Sequence, residues 1–355
     1  MSIRGELIVS AIILGFVSSA QAGPCATALS KSVVCETANN YALERMKAGD
    51  LAAIIVMEDV PTGALVAFAA SNPEKLDVTT ALLPLSPVKL MAAASWLDHQ
   101  DGHDTKLSES EKVLTDSIVS GNDNAGRQIA SALREAVGTE TVLQDLARYG
   151  FSAQGNQIVK TDTNFWAELA PRWRQRLVPA TSYHSLGKET TTSDWEDTLS
   201  IGERGIVATA LHLSRFLQAV GNRGVMVAPI AKDEDSISRP GSTIPATTRV
   251  MSEAAALKLQ ALMRGTVERG TAKSAFPILV GSGWSMGGKT GTGPEAGTTS
   301  AGPKSDGCFA GLIFHPQGKA RFTVVTFVKH GGFGGGNAAR ISAELALFLT
   351  GARAK

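Results

Sequence analysis

The sequence predicts a mixed α/β (α+β) fold, in which strands from the two ends of the chain form one antiparallel sheet, flanked by helices and joined by a helical lobe. Strand-like apolar segments occur near the N-terminus and again in the last third of the chain. Segments with helical periodicity occupy the region between them. A chain of 355 residues with 43% hydrophobic residues can bury a core of this size.

The strands are predicted from apolar runs bounded by turn residues. Two runs, 51–57 and 64–70, flank a Pro-Thr-Gly turn and indicate a hairpin. Three more strands are predicted late in the chain, at 285–292, 307–314 and 321–329. A Pro-Gln-Gly turn separates the last two of them. Strands therefore lie at both ends, and an antiparallel sheet is the simplest way to pair them.

The helices are predicted from start signals and apolar spacing. Pro87 suits the first turn of a helix, and the residues after it are apolar at helical intervals. Helical patterns also cover 108–150, 209–224 and 252–270, and Ser252 suits the N-cap of the last of these. A final helix follows the segment GGFGGG. The polar stretch 151–200 gives no clear assignment.

The N-terminal segment MSIRGELIVSAIILGFVSSAQAG predicts export. It has a short polar start, an apolar run too short for an ordinary membrane span, and an Ala-Gln-Ala cleavage site. We expect a signal peptide at 1–22, a leader at 23–47 and one catalytic domain at 48–355, in the periplasm or outside the cell. Glu6 weakens the basic start, so an uncleaved membrane anchor is the alternative.

The charge balance limits which binding partners are expected, and the positions of the cysteines limit which disulfides are expected. Lys and Arg number 34 and Asp and Glu number 33, so no strong electrostatic field favours nucleic acid. Cys25 and Cys35 lie close together after the cleavage site, where a local disulfide or two unpaired thiols are both compatible with the sequence. Cys308 lies in a strand-like apolar segment and is expected to be buried and inert.

The segment GSGWSMGGKTGTG, residues 281–293, matches the phosphate-loop pattern G-x-x-x-x-G-K-[ST]. A phosphate loop needs a helix that begins at its Lys-Thr pair. Here the chain continues with GTGPEAGTTSAGP, whose glycines and prolines exclude that helix. Lys289 therefore requires a different role.

Ser86-Pro87-Val88-Lys89 places a hydroxyl and an amine one helical turn apart. A serine becomes a nucleophile when a base takes its proton, and a lysine whose pKa is lowered by burial can be that base. The S-x-x-K pattern also arises by chance: Ser185 and Lys188 form a second match. That match contains a glycine and lies in a polar segment, so we interpret it as incidental.

Two further motifs follow in order. Ser120-Gly121-Asn122 is an S-x-N, and Lys289-Thr290-Gly291 is a K-T-G. With the S-x-x-K they form the signature of active-site serine penicillin-binding enzymes. The sequence resembles the penicillin-binding protein transpeptidase domain, of the serine β-lactamase and D,D-peptidase superfamily, over about residues 48–350. The hairpin and the segment LSIGERGIVATALHLSRFLQAVGNRGVMVAP at 199–229 also fit this family.

The resemblance implies a β-lactamase/transpeptidase-like fold and roles for the first two motifs. Ser86 would be the acylated nucleophile and Lys89 its general base. Ser120 would pass a proton to the leaving amine, and Asn122 would bind the substrate amide. The interval between Ser86 and Ser120 is shorter than is usual for the family.

The resemblance also implies roles for the third motif. Lys289 would support proton transfer and the substrate carboxylate, which Thr290 and Thr292 would bind. The N–H groups of Ser86 and Thr292 would form an oxyanion hole. Three glycines would let the substrate backbone approach the strand: Gly287, Gly288 and Gly291.

The implied function is an acyl transfer on D-alanyl-D-alanine peptides of the cell wall, by a transpeptidase or carboxypeptidase. A β-lactamase and a non-catalytic β-lactam sensor are the alternatives. Fast hydrolysis of an acyl-enzyme needs a base for water, and Glu168 is a candidate from its place in the sequence. The expected partners are peptidoglycan stem peptides and β-lactams, with no nucleic acid, no cofactor, no metal and no membrane contact except through an uncleaved signal.

Overall fold

The structure is a computed structural model that describes residues 44, 52–63, 65–71, 82–99, 110–151, 182–183, 192–203, 206–227, 247–294 and 300–350. The predicted signal and its cleavage site, Cys25, Cys35, Glu168 and Ser185 lie outside these residues. The predicted domain boundaries therefore stay predictions.

The described elements are numbered in chain order. They are β1 (Ala52–Glu58), β2 (Leu65–Ala70), α1 (Val88–His99), α2 (Ser110–Ile118), α3 (Asp123–Arg148), β3 (Ser182–Tyr183), α4 (Thr192–Ser200), β4 (Ile206–Val207), α5 (Ala210–Gly221), β5 (Val225–Val227), β6 (Thr247–Arg249), α6 (Glu253–Glu268), α7 (Phe276–Leu279), β7 (Ser285–Thr292), β8 (Gly307–Phe314), β9 (Ala320–Lys329) and α8 (Asn337–Thr350). A kink at Gly138, whose φ is 81°, interrupts α3.

The main sheet has five strands in the order β2-β1-β9-β8-β7. All its pairs are antiparallel, and the register between the two ends of the chain sets Ile54 opposite Phe327. The predicted fold class is confirmed: the N-terminal hairpin and the C-terminal strands form one sheet with helices around it. This order leaves β7, the strand that carries Lys289, at an edge.

Both faces of the sheet are covered. Ile54 and Val56 belong to a buried cluster that also contains residues of α1, α3, α5 and α6. Ile55 and Met57 belong to a second buried cluster, with residues of α8. Successive strand residues point to opposite faces, so a strand buried on both faces reads as an uninterrupted apolar run. This explains why the apolar pattern alone identified β1.

Helix α1 passes through the middle of the protein. Its residues from Val88 to Trp96 are all buried, including Lys89. Alanine, leucine and methionine dominate it, which favours a helix packed on all sides. Its N-terminal end lies against β7: a Cβ at Gly291 would lie 2.8 Å from Pro87 Cδ. The first and third motifs therefore meet.

Helix α5 is joined to the sheet by a buried ion pair. Arg215 bonds the carboxylate of Glu58, and both side chains are almost fully buried. Ser214 Oγ donates to Glu58 Oε2 at 2.6 Å and lies 2.7 Å from Thr323 Oγ1. Thr323 Oγ1 also accepts the Glu58 N–H at 2.8 Å. This network connects α5, β1 and β9. None of the helices in the described ranges has the length and apolar character to cross a membrane.

Candidate active site

Ser86 lies in the turn immediately before α1. Leu85, the residue before it, has a φ of 57°, a left-handed conformation that is uncommon for a residue with a Cβ. The Leu85 N–H donates to Gly202 O at 3.1 Å. A Cβ at Gly202 would lie 2.2 Å from Leu85 O, so only glycine fits there. Gly202, in the segment 199–229 that fits the family, thus supports the backbone in front of Ser86.

Lys89 lies one turn after Ser86 and bonds it. Lys89 Nζ donates to Ser86 Oγ at 2.9 Å, and the lysine side chain is 1% exposed. Gly126 of α3 provides space for it, because a Cβ there would lie 2.8 Å from Lys89 Cε. The predicted pairing of hydroxyl and amine is therefore present in the structure. Their catalytic roles stay predictions.

The second bond of Lys89 goes to a residue that the motif search missed. Lys89 Nζ donates to Asp123 Oδ1 at 2.5 Å. Burial lowers the pKa of Lys89, and the hydrogen bond and charge of Asp123 oppose that change. In the sequence, Asp123 reads as an ordinary acidic residue of a helix's first turn. Its contact depends on how α3 is placed against α1, which no local pattern reveals.

The residues of the S-x-N motif lie in the turn that precedes α3. Ser120 is exposed, and Asn122 is the N-cap of α3, its side chain accepting the Ala125 N–H at 3.0 Å. Within the described residues, no hydrogen bond joins either side chain to Lys89 or Lys289. A Cβ at Gly121 would lie 3.6 Å from Lys289 Nζ. The positions of this loop that face the two lysines are therefore Gly121 and Asp123. The roles expected of Ser120 and Asn122 stay predictions.

Lys289 is buried on the edge strand β7. It is 1% exposed, and its Nζ donates to Thr290 O at 2.8 Å. Burial, followed by the charge of Lys89, lowers the pKa of Lys289 to about 7. Near neutral pH its amine can therefore change between a cation that attracts a carboxylate and a neutral base.

The two threonines of β7 flank the open edge. Thr290 Oγ1 lies 2.7 Å from Thr271 Oγ1, and Thr292 Oγ1 accepts the Gly334 N–H at 3.1 Å. Gly293 donates its N–H to Asp306 O at 2.9 Å, across to the neighbouring strand. Because alternate residues of an antiparallel edge strand turn their N–H groups outward, the Thr292 N–H faces away from β8. This orientation is the one an oxyanion donor requires.

Three glycines of β7 have a packing role in the structure, and the expectation that they let the substrate backbone approach the strand stays a prediction. A Cβ at Gly287 would lie 2.7 Å from the backbone of α6, and one at Gly288 would lie 2.4 Å from the ring of Phe309. A Cβ at Gly291 would meet Pro87. The absent side chains therefore permit close packing of α6, β8 and the start of α1 against β7. The sequence could indicate close approach but not the partner.

The prediction that Cys308 is buried is confirmed. Cys308 is fully buried, as predicted, and burial raises the pKa of its thiol to about 12, so it is protonated at neutral pH. It pairs with Gly291 across the sheet. No cluster of metal-binding side chains occurs among the described residues.

Comparison with known proteins assigns this chain to a family. A sequence model of the penicillin-binding protein transpeptidase domain matches residues 53–346. The chain belongs to this family. No curated protein sequence matches the chain.

Solved structures have the same fold. Penicillin-binding protein 3 of Mycobacterium tuberculosis, in complex with aztreonam, superposes with a TM-score of 0.64 at 17% identity, over 90% of this chain and 77% of that one. The transpeptidase domain of Burkholderia pseudomallei penicillin-binding protein 3 gives 0.62 at 17%, over 89% and 92%. The FtsI4 D,D-transpeptidase domain of Legionella pneumophila gives 0.59 at 19%, over 88% and 95%. At such identities the likeness shows the fold.

We expect binding of a carboxylate-bearing β-lactam to weaken as pH rises through about 7, where Lys289 loses its charge. A charge-assisted hydrogen bond is worth about 1.5–3 kcal/mol, so Kd should rise about 10- to 150-fold. Since a bound carboxylate stabilises the cation, the midpoint in the complex lies higher than in the free protein. Calorimetry with benzylpenicillin, on a Ser86→Ala background that prevents acylation, measures Kd directly.

The Lys289→Met variant should bind benzylpenicillin weakly at every pH, and its Kd should show no midpoint near neutral pH. Lys258→Met provides the matched control, because Lys258 is an exposed lysine on α6 that pairs with Glu111. A Kd that does not change with pH in the Ser86→Ala protein would contradict a contact between Lys289 and the carboxylate.

Proposed function

We propose that this protein is a penicillin-binding D,D-transpeptidase or D,D-carboxypeptidase that acts on D-Ala-D-Ala cell-wall peptides through an acyl-enzyme on Ser86. One observation carries the proposal: Lys89 Nζ lies 2.9 Å from Ser86 Oγ at the start of a buried helix beside the edge strand β7. A hydroxyl bonded to a buried amine, next to an outward-facing backbone N–H, suits nucleophilic attack on an amide.

The proposed reaction has two balanced steps. Ser86 Oγ attacks the carbonyl carbon of the penultimate D-alanine, and the hydroxyl proton moves to the neutral Lys89 amine. The carbonyl oxygen becomes an oxyanion, which the N–H groups of Ser86 and Thr292 receive. The C–N bond then breaks, and the departing D-alanine amine takes up the proton. In the second step an amine acceptor or water attacks the ester carbonyl and gives a proton to the Lys89 amine. The ester C–O bond then breaks, and Ser86 Oγ takes that proton back.

The buried lysines supply the electrostatics of this reaction. Lys89 lies close enough to Lys289 for the charge of Lys89 to lower the pKa of Lys289. In its charged form Lys289 would attract the terminal carboxylate of the peptide or of a penicillin, with the hydroxyls of Thr290 and Thr292 as further donors. The K-T-G segment that resembles a phosphate loop would thus bind a carboxylate.

Mass spectrometry of the protein after incubation with benzylpenicillin tests the proposal. We expect one penicilloyl adduct, which peptide mapping assigns to Ser86. An adduct on Ser120 or Ser185, or none on folded protein, would contradict it. Release of D-alanine from a D-Ala-D-Ala peptide supports the peptidase. Hydrolysed drug accumulating over many turnovers indicates a β-lactamase instead, and a stable adduct without peptide turnover indicates a sensor.

We further propose that the protein is exported to the periplasm or beyond, with cleavage after Ala22. The apolar run and the Ala-Gln-Ala site support this, as does a cell-wall substrate. N-terminal sequencing of the mature protein should begin at Gly23. A membrane-bound product that retains Met1 would instead support an uncleaved anchor.

A further inference from the structure

The geometry points to Asp123 as a positioning residue: we propose that its carboxylate, and not the amide of Asn122, holds the Lys89 amine as a cation against Ser86 in the resting protein. This inference rests on the proposed acyl transfer, in which Lys89 is the general base. It assigns a role to Asp123, the residue that follows the S-x-N motif and belongs to none of the three motifs.

The contacts around the amine support this assignment. Lys89 Nζ lies between Ser86 Oγ, at 2.9 Å, and Asp123 Oδ1, at 2.5 Å. Asn122 is engaged elsewhere, because its side-chain oxygen caps the backbone of α3. The lysine stem is packed against Gly126, so the amine has little freedom to move from this position. Asp123 therefore fixes both where the amine points and which protonation state is stabilised.

The other charges around Lys89 do not replace this contact. Arg127 on α3 disfavours the cation, but its guanidinium is bonded to Asp197 at 2.9 Å. Glu203, after α4, favours the cation at longer range, and Lys289 on β7 repels it. Asp123 is the anion in direct contact with the amine, and its side chain is 50% exposed. It can therefore stabilise the cation without being fully desolvated itself.

This pairing has a consequence for the reaction. A lysine cation cannot accept the Ser86 proton, so Lys89 must first release a proton to solvent. The neutral amine then takes the hydroxyl proton as Ser86 attacks, and later passes it to the leaving amine. Acylation should therefore increase with pH, with a midpoint that the Asp123 carboxylate moves upward.

Asp123→Asn tests the inference, because asparagine keeps the size and an acceptor oxygen but removes the charge. The first-order rate of acylation at saturating benzylpenicillin, which does not depend on Kd, is measured over a pH series for the wild type and the variant. An opposite charge in contact changes a pKa by about 1–3, so the midpoint should fall by about that much on the pH scale. Below the wild-type midpoint, the variant should acylate about tenfold faster or more, since the neutral fraction of an amine grows about tenfold when its pKa falls by about one. The plateau at high pH should be unchanged.

Two further variants complete the design. Asp123→Glu restores the charge and should bring the midpoint back towards the wild-type value. Asp116→Asn removes an equal charge from α2, where Asp116 pairs with the exposed Lys112, and should leave the midpoint unchanged. If Asp123→Asn unfolds, Asp123→Ser is measured in its place, because serine also removes the charge and is tolerated at the start of a helix; its midpoint should fall in the same way, whereas a role limited to folding predicts the wild-type midpoint.

The outcomes separate this inference from the proposed function. If the wild-type protein is not acylated on Ser86 at any pH, the proposed function is wrong. Acylation on Ser86 with the same midpoint in wild type and Asp123→Asn would overturn the inference alone. A higher plateau without a shifted midpoint would also overturn it, because it would indicate that the new amide binds the substrate rather than that the charge acts on Lys89.

Discussion

Ser86→Ala is expected to abolish covalent labelling by penicillin and to lower acyl transfer by about 10⁴- to 10⁶-fold, the usual loss when a nucleophile that acts with partners is removed. The fold should survive, because Lys89 keeps its bond to Asp123 and only one hydrogen bond, worth about 1 kcal/mol, is lost. Labelling with a fluorescent penicillin measures the first effect, and urea unfolding measures the second.

Ser185→Ala is the matched control for this variant. Ser185 belongs to the second S-x-x-K match in the chain, so both variants remove a serine hydroxyl three residues before a lysine. We expect Ser185→Ala to be labelled at the wild-type rate. Full labelling of folded Ser86→Ala would show that the nucleophile lies elsewhere.

Arg215→Met should lower the free energy of unfolding by about 3–5 kcal/mol, because it leaves the buried carboxylate of Glu58 without its cation. Burial already raises the pKa of Glu58, and Arg215 opposes that effect. Without Arg215 the folded-state pKa rises further above the unfolded value. The stability deficit should therefore be largest above the folded-state pKa and shrink as pH falls and Glu58 becomes protonated.

Urea unfolding at several pH values measures this effect, and a double variant provides its control. Glu58→Leu combined with Arg215→Met removes both charges and should recover most of the stability, since replacing a buried pair by apolar residues is often neutral. A deficit in Arg215→Met that does not change with pH would show that packing, rather than the unpaired carboxylate, causes the loss.

Much of the fold could be predicted from the sequence because its signals are local. The apolar runs of β1, β8 and β9 are long and bounded by turn residues, and the structure places them within a residue or two of the predicted ranges. Ser252 caps α6 as expected, its Oγ accepting the Ala255 N–H at 3.2 Å. The pairing of the two ends followed from the absence of other partners for those strands.

The candidate site was predictable only in part. Ser86 and Lys89 belong to one helical turn, so their spacing alone brings them together. The S-x-N loop is different, because its contact with α1 depends on which residue caps α3. A shift of one residue along the loop decides whether Asn122 or Asp123 reaches Lys89. Likewise, no local sequence pattern predicts that Gly202 packs against Leu85 or that Gly126 packs against Lys89.

The pairing of β1 with β9 also has a consequence for how the protein is assembled. The hairpin β1–β2 and the run β7–β8–β9 each consist of neighbouring strands, but the bonds that join them connect opposite ends of the chain. Closing such a large loop costs conformational entropy before any contact between the two units can offset that cost. Proteins rich in contacts between distant parts of the chain therefore fold slowly. The sheet cannot close until the C-terminal strands have been synthesised. If the chain were divided in the long interval between these units and the two fragments were produced separately, the pairing of β1 with β9 would become an association between two molecules.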